Sequence, residues 1–188
     1  MTDNQFLKSY LEDLSNLIKP DDDLIKSLIN IRDLLLEVKS HNKKVLIFGN
    51  GGSAAIASHF SVDLTKNASL RCLNFNESDL ITCFANDYGF ENWIAKAVEF
   101  YGDEGDVLIV ISSSGKSKNM INATTAAKAK KFSKIVTLSG FEENNPLRIS
   151  GDINLWVNSK AYNFVENLHQ IWLLALVDLV IGDREYSA

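Results

Sequence analysis

Four serines, a glycine and a lysine make up the segment Ser112–Ser117. The apolar run Asp106–Ile111 before it is typical of a buried strand, and the pattern after Ser117 indicates a helix. Unpaired backbone N–H groups and the positive end of the dipole at a helix N-terminus favour an anion. Short hydroxyl side chains add donors and leave room for a phosphate. The segment therefore predicts a site for a phosphorylated small molecule.

The same segment also matches the end of a nucleotide-binding P-loop, because Gly115, Lys116 and Ser117 complete G-x-x-x-x-G-K-[ST]. The first glycine of that pattern would fall on Val110, which lies inside the predicted strand. The wide glycine-led turn that wraps a nucleotide is therefore missing. The sequence favours a cradle for a single phosphate, and we expect no nucleotide cofactor.

A second loop rich in glycine, Gly49–Ala54, follows the first predicted strand and satisfies G-x-G-x-x-A. A dinucleotide site would need an acidic residue at the end of the second strand, where Asn74 and Asn76 precede Glu77. Glycines also let the backbone approach a compact polar ligand closely, which is the interpretation we favour. A tight turn without a ligand is the alternative.

Two pairs of acid and histidine lie on predicted helices. His59 and Asp63 are four residues apart, and Glu166 and His169 are three apart, so each pair shares a helix face. Either pair could bind a metal or transfer protons. The alternatives are a structural histidine for the first pair and a solvated first turn for the second. Asp87 lies in a turn-rich segment and is expected to be an N-cap or an Asx-turn residue.

Short apolar runs alternate with helical patterns after residue 42. The predicted strands are Val45–Phe48, Arg71–Phe75, Val107–Ile111, Ile135–Leu138 and Ile153–Val157. The predicted helices are 53–66, 79–84, 92–101, 117–131 and 163–181. Apolar strands that alternate with helices predict a doubly wound α/β fold with a parallel sheet and helices on both faces. Ligands bind such sheets at the carboxyl ends of the strands, where both loops lie.

Residues 1–42 predict two further helices, one at Asp3–Ile18 and a second that begins after Asp21–Asp23. Their apolar surface is generous for covering one core, so we expect them to take part in an oligomer interface. No linker or repeat divides the chain, and we therefore predict a single domain over 1–188. Its α/β core would occupy residues 43–188.

The composition is that of a soluble globular protein, with 46% hydrophobic residues among 188. The net charge of -5 argues against non-specific nucleic-acid binding, and we expect no direct nucleic-acid partner. Cys72 and Cys83 have no metal-binding spacing and are expected to be buried, reduced thiols. We find no signal peptide and no apolar run long enough to span a bilayer, which predicts a cytoplasmic location away from membranes.

Several motifs occur in an order that is more specific than any one of them. They are Gly49-Asn-Gly-Gly-Ser53, His59-Phe60 with Asp63-Leu64, Ala85-Asn-Asp-Tyr-Gly89, Gly105-Asp-Val-Leu108, Ile111-Ser-Ser-Ser-Gly115 and Val136-Thr-Leu-Ser-Gly140. Together they resemble the sugar isomerase (SIS) domain of the phosphoheptose isomerase family, over nearly the whole chain. The resemblance implies a five-stranded parallel sheet and a homotetramer with active sites at subunit interfaces. It also implies isomerisation of sedoheptulose 7-phosphate to D-glycero-D-manno-heptose 7-phosphate.

The resemblance also implies roles for single residues. The phosphate would be held by Ser53, Ser112, Ser113, Ser114 and Ser117. The sugar would be lined by Asn50, Gly51, Gly52 and Asp87. Asp63 stands where the family has its catalytic glutamate, and His59 matches a zinc-binding histidine.

Two positions on the last helix depart from the family. The family presents a glutamine there and, eight residues later, a histidine that acts as acid–base partner and metal ligand. Glu166 aligns with that glutamine and Leu174 with that histidine. A leucine can neither transfer a proton nor bind zinc. Asp63 is also one methylene shorter than glutamate.

These observations leave three hypotheses. In the first, the protein isomerises the heptose phosphate with Asp63 as general base and Glu166 or His169 as proton donor, and with zinc on His59, Asp63 and Glu166. In the second, the substrate is another phosphosugar. In the third, the protein only binds, as do the DnaA-initiator-associating proteins, whose partner is the replication initiator.

Overall fold

The computed structural model describes residues 1–186 and has a five-stranded parallel sheet with the order β2-β1-β3-β4-β5. The strands are β1 Val45–Gly49, β2 Cys72–Asn74, β3 Val107–Ser112, β4 Lys134–Ser139 and β5 Ile153–Trp156. The strand order changes direction between β1 and β3, which is where such sheets bind ligands. Gly49 pairs with Ile111 across these two strands, so the loops that follow them begin side by side.

The helices cover both faces of the sheet. They are α1 Asp3–Ile18, α2 Asp22–Ser40, α3 Gly52–Lys66, α4 Ser78–Tyr88, α5 Trp93–Tyr101, α6 Lys118–Ala129, α7 Pro146–Ser150 and α8 Tyr162–Ile181. Successive strand residues point to opposite faces, so Val45 and Ile47 pack with α2, α3 and α8, whereas Leu46 and Phe48 pack with α5 and α6. The predicted fold class is confirmed.

The two N-terminal helices differ in how well the chain itself buries them. Four side chains of α2 are buried in the core: Ile31, Leu34, Leu35 and Val38. Helix α1 begins with a capping box between Thr2 and Gln5 and has no buried residue. Its exposed apolar side chains are Phe6, Leu7, Leu11 and Ile18. This surface on α1 has no partner within the described part of the chain.

All five predicted strands are present, whereas one short helix and the exposure of one cysteine differ from the sequence prediction. Helix α7 was not predicted, because five residues are too few to show a helical period. Cys83 is exposed on α4, with its Sγ 3.8 Å from an Asp87 carboxylate oxygen, whereas Cys72 is buried as expected. Burial raises the pKa of the Cys72 thiol.

Helix α8 corrects the expectation that no run could span a bilayer. It has 20 residues, and an 18-residue stretch within it has a mean hydropathy of 1.5, so it is long and apolar enough to do so by length and composition alone. The physical reason for this composition is packing inside the fold. Val165, Leu168, Leu173 and Val177 are buried against the sheet and against α2 and α3. Helix α8 is a core helix of the α/β domain.

Candidate active site

The serine segment forms a tight turn between β3 and α6. Ser112 and Ser113 are buried, and the Ser112 and Ser117 hydroxyl oxygens lie 3.0 Å apart. The Gly115 N–H donates to the Ser112 carbonyl at 2.9 Å, and the Gly115 φ of +65° is a left-handed value that favours glycine. The turn therefore gathers several hydroxyl groups ahead of the N-terminus of α6.

Asn145, at the N-cap of α7, supports this turn from behind. A Cβ on Gly115 would clash with the Asn145 side chain, so the two residues are packed as closely as a glycine allows. The buried Asn145 amide donates to the Ser139 hydroxyl at 3.0 Å, and its oxygen accepts from the Arg148 N–H at 2.9 Å. Helix α7, which the sequence did not predict, thus holds the serine turn in place.

A cavity of about 140 Å³ opens at the carboxyl ends of β1 and β3. It is lined by Asn50, Ser53, Ile111, Ser112, Ser113, Ser114, Ser117, Tyr162 and Glu166. The Asn50 and Asn119 amides exchange two hydrogen bonds of 3.1 and 2.9 Å, which tie the glycine loop to α6. The structure therefore brings both predicted loops to one polar cavity, and we call it the serine cavity. Tyr162, half exposed at the start of α8, was not predicted.

Glu166 forms the wall between the serine cavity and a second one. The second cavity has a volume of about 300 Å³ and is lined by Gly52, Ile56, Asn163, Glu166, Asn167 and Gln170. A Cβ on Gly52 would clash with the Glu166 carboxylate, so this carboxylate rests on the first turn of α3. A negative group is favourable there because of the helix dipole. Gly51, the N-cap of α3, has a left-handed φ of +56°.

His59 and Asp63 lie on α3 beyond the second cavity. Their Nε2 and Oδ2 atoms are 3.2 Å apart, and the His59 side chain is 49% exposed, so solvent or a ligand can reach it. The Nδ1 atom of His59 lies 2.9 Å from the side-chain amide nitrogen of Gln170 on α8. The other Asp63 oxygen is 3.4 Å from the Asn67 amide nitrogen. Asp63 thus lies in a short polar chain that links two helices.

Comparisons with known proteins agree with this geometry. The SIS domain family matches residues 5–140 of the chain. A phosphoheptose isomerase from Helicobacter pylori is 36% identical over an alignment of 187 residues, and the match covers 96% of this chain and 96% of the relative. One from Fusobacterium nucleatum is 33% identical over 176 residues, 91% of this chain and 89% of the relative. The chain belongs to the phosphoheptose isomerase family of SIS domain proteins.

A solved structure supports the family at the level of the whole fold. The structure of a phosphoheptose isomerase from Francisella tularensis has a TM-score of 0.89 and 27% identity to this chain. The match covers 97% of this chain and 100% of that one. The N-terminal helices are therefore shared with that isomerase, together with the α/β core.

In this phosphoheptose isomerase family member, His169 and Asp87 were both predicted for the site, but they line neither cavity and make no hydrogen bond to the His59–Asp63 pair. His169 is fully buried, and its Nε2–H donates to the Ser139 carbonyl at 3.1 Å. Burial lowers the pKa of His169 to about 4, because it disfavours the charged ring. His169 is thus a core residue that joins α8 to β4. Asp87 lies exposed in the last turn of α4, where it contacts Cys83 and Asn86, so the expectation of an N-cap or Asx-turn residue is wrong.

The zinc ligands implied by the family resemblance do not form a metal site as they are arranged. His59 and Asp63 are adjacent, but Glu166 rests on Gly52, and both ring nitrogens of His59 have partners within the chain. Among residues 1–186 no group of three histidine, cysteine or acidic side chains is placed to hold a metal ion. We therefore derive no catalytic step through a metal.

The position of Gln170 on α8 is a signal in the sequence for its contact with His59. This residue follows Glu166 by four positions and precedes Leu174 by four, so all three share the face of α8 that packs on α3. Its amide lies between Glu166 and Leu174, the two positions that differ from the family's glutamine and histidine. It is therefore a candidate for contact with His59.

Proposed function

We propose that this protein converts sedoheptulose 7-phosphate into D-glycero-D-manno-heptose 7-phosphate through an enediolate. One observation carries the proposal: a hydroxyl-rich cavity and an acid–histidine pair lie along one helix, α3, and the second cavity lies between them. Membership of the phosphoheptose isomerase family supports it. The binding-only hypothesis leaves the His59–Asp63 pair without a role.

The spacing along α3 suits a substrate of this length. Seven residues separate Gly52 from His59, which is about 10 Å along a helix axis. One extended residue has three backbone bonds and spans about 3.5 Å, so the six C–C bonds of an extended seven-carbon chain span about 7 Å. The phosphate ester makes the substrate longer still. With its phosphate in the serine cavity, an extended heptose phosphate reaches about as far along α3 as the His59 position, and a pentose phosphate, two carbons shorter, reaches less far.

Different side chains bind the phosphate, transfer protons and orient the base. The serine hydroxyls, the Ser53 side chain and the N–H groups at the start of α6 bind the phosphate. Asp63 takes a proton from the carbon next to the carbonyl and returns it to the neighbouring carbon. Glu166, at the wall between the cavities, exchanges protons with the substrate oxygens. His59 holds the Asp63 carboxylate in place through its Nε2 atom.

The test is an isomerase assay on the full chain with sedoheptulose 7-phosphate, next to a pentose and a hexose phosphate. We expect aldose product from the heptose phosphate, and a loss of at least about 100-fold in kcat for Asp63→Asn. Asp33→Asn, an exposed aspartate on α2, is the matched control and should keep full activity. A heptose phosphate that raises the melting temperature but is not converted would favour the binding-only hypothesis.

We also propose that the protein is a cytoplasmic homotetramer with its sites at subunit interfaces. The open side of the His59–Asp63 pair is flanked by the exposed apolar side chains of Val62 and Ile171, next to Asp63 and Gln170 in sequence. A second subunit would cover this surface and exclude water from the reacting carbons.

A further inference from the structure

The His59 ring bridges two helices. Of its two partners, Asp63 takes part in the proposed reaction and Gln170 does not. Asp63 lies one turn further along α3, whereas Gln170 reaches the ring from α8. Leu174, which replaces the family's histidine, offers no polar atom to the ring. Gln170 is therefore the α8 side chain that fixes the orientation of His59.

The chemistry of the partners determines where the ring proton lies. An ionised carboxylate can only accept a hydrogen bond, so Asp63 requires a proton on Nε2 of His59. Nδ1 is then an acceptor, and the amide nitrogen 2.9 Å away is a donor. The two contacts agree with a single tautomer, with the proton on Nε2.

We propose that Gln170 is a positioning residue that holds His59 in this tautomer and so fixes the orientation of the Asp63 carboxylate. The catalytic part of the proposal rests on the proposed function, whereas the tautomer does not. Without the amide, the ring can rotate or move its proton to Nδ1. Asp63 then loses its only ring donor, and the carboxylate turns away from the substrate carbon.

The arrangement also accounts for the poor fit of a metal. A zinc ion would need a free ring nitrogen on His59, and binding it would break the bond either to Asp63 or to Gln170. In this chain the amide takes the orienting role, so the ring is ordered without a metal.

Nitrogen NMR of the imidazole rings at pH 8 tests the tautomer directly. The chain has three histidines, and the other two serve as internal references. His41 donates from Nδ1 to the Glu37 carbonyl, and His169 donates from Nε2 to the Ser139 carbonyl, since a carbonyl can only accept. We expect the His59 shifts to match the pattern of His169 in the wild-type protein.

Two variants test the role of the amide. Gln170→Met keeps the length of the side chain and removes the donor, so the Nδ1 shift should move to that of an acceptor without a donor, and the share of the Nδ1-protonated tautomer should rise. Gln170→Glu places a carboxylate, which only accepts, at Nδ1, so the ring should carry a proton on Nδ1 as well as on Nε2. Because the variants predict different spectra, a failure of one to fold leaves the other decisive. Asn122→Ala on α6, which also loses amide hydrogen bonds, should leave the His59 signals unchanged.

Steady-state kinetics supply the second measurement. For Gln170→Met we expect kcat to fall about tenfold while KM changes less than about twofold, because the phosphate contacts remain. Unchanged His59 shifts in both variants, or one bound zinc per chain in a metal analysis with His59 as its ligand, would overturn the proposal. An inactive wild-type protein whose His59 tautomer depends on Gln170 would instead overturn the proposed function and leave the positioning role standing.

Discussion

At the scale of single residues, binding and chemistry are separated in this site. The serine hydroxyls lie at one end of α3 and Asp63 lies at the other, with Glu166 between the two cavities. A hydroxyl that only holds the phosphate makes the same contact in the ground state and in the transition state. Its loss should therefore weaken binding without slowing the bound substrate.

Ser117→Ala tests this separation. The Ser117 hydroxyl lines the cavity and lies 3.0 Å from that of Ser112. A hydrogen bond to a charged group contributes about 1.5 kcal/mol, so we expect KM to rise about tenfold, with kcat within about twofold of wild type. Ser150→Ala on α7 removes a serine of similar accessibility outside the cavity and is the control. A fall in kcat with an unchanged KM would contradict the assignment of Ser117 to the phosphate.

His169 makes stability depend on pH. Burial lowers its folded-state pKa from 6.5 to about 4. As the pH falls below 6.5, the unfolded chain binds a proton that the folded chain rejects, so the free energy of unfolding decreases. The loss reaches about 3 kcal/mol near pH 4. Urea unfolding of wild type and His169→Gln between pH 7.5 and 4.5 measures it: the difference in stability between them should shrink as the pH falls.

At the scale of secondary structure elements, the site depends on α7. This helix carries Asn145, which packs against Gly115 and hydrogen-bonds to the end of β4. The serine turn is therefore held by an element that follows it by some thirty residues in the chain. A substitution at Gly115 should therefore weaken ligand binding and also lower the stability of the protein.

Gly115→Ala should destabilise the protein by about 3 kcal/mol or more, from a left-handed backbone and a clash with Asn145. Gly182→Ala is the matched control, because Gly182 also has a left-handed φ of +88° but has no atom in the way of a Cβ. We expect Gly182→Ala to cost about 1 kcal/mol. Melting temperatures of the two variants, measured with and without substrate, give their losses of stability and of ligand binding. Equal losses in both variants would show that Asn145 does not restrict the turn.

Elements with a clear hydrophobic period can be predicted from the sequence. The contacts between these elements are predicted less well. The strands and the long helices follow from alternation and helical spacing, and the two glycine and serine loops follow from strand ends. Helix α7 and the exposure of Cys83 do not, because a short helix and a local packing choice leave no periodic signal. The roles of His169 and Gln170 depend on which face of α8 meets α3, and a nearly all-apolar helix does not show this face in its pattern.

At the scale of the whole molecule, α1 is the element least explained by a single chain. It is a 16-residue helix with no buried residue, and an isolated helix of that length is marginal in water. Its contact with the core includes Tyr10, whose ring lies 4.5 Å from that of Phe164. Phe6, Leu7 and Leu11 remain exposed. These features favour the proposed assembly, in which another subunit covers α1.

The double variant Phe6→Asp, Leu11→Asp should abolish this assembly, because it would bury two unpaired carboxylates against a partner subunit. Light scattering after gel filtration should give the mass of four 20.9-kDa chains for the wild type and a smaller particle for the variant. Ile149→Asp is the matched control, since Ile149 is 73% exposed on α7, outside the N-terminal helices. If active sites lie at subunit interfaces, the smaller particle should keep its circular dichroism and lose its isomerase activity. A tetramer that persists in the double variant would show that α1 does not form the interface, and an active monomer would place the whole site within one chain.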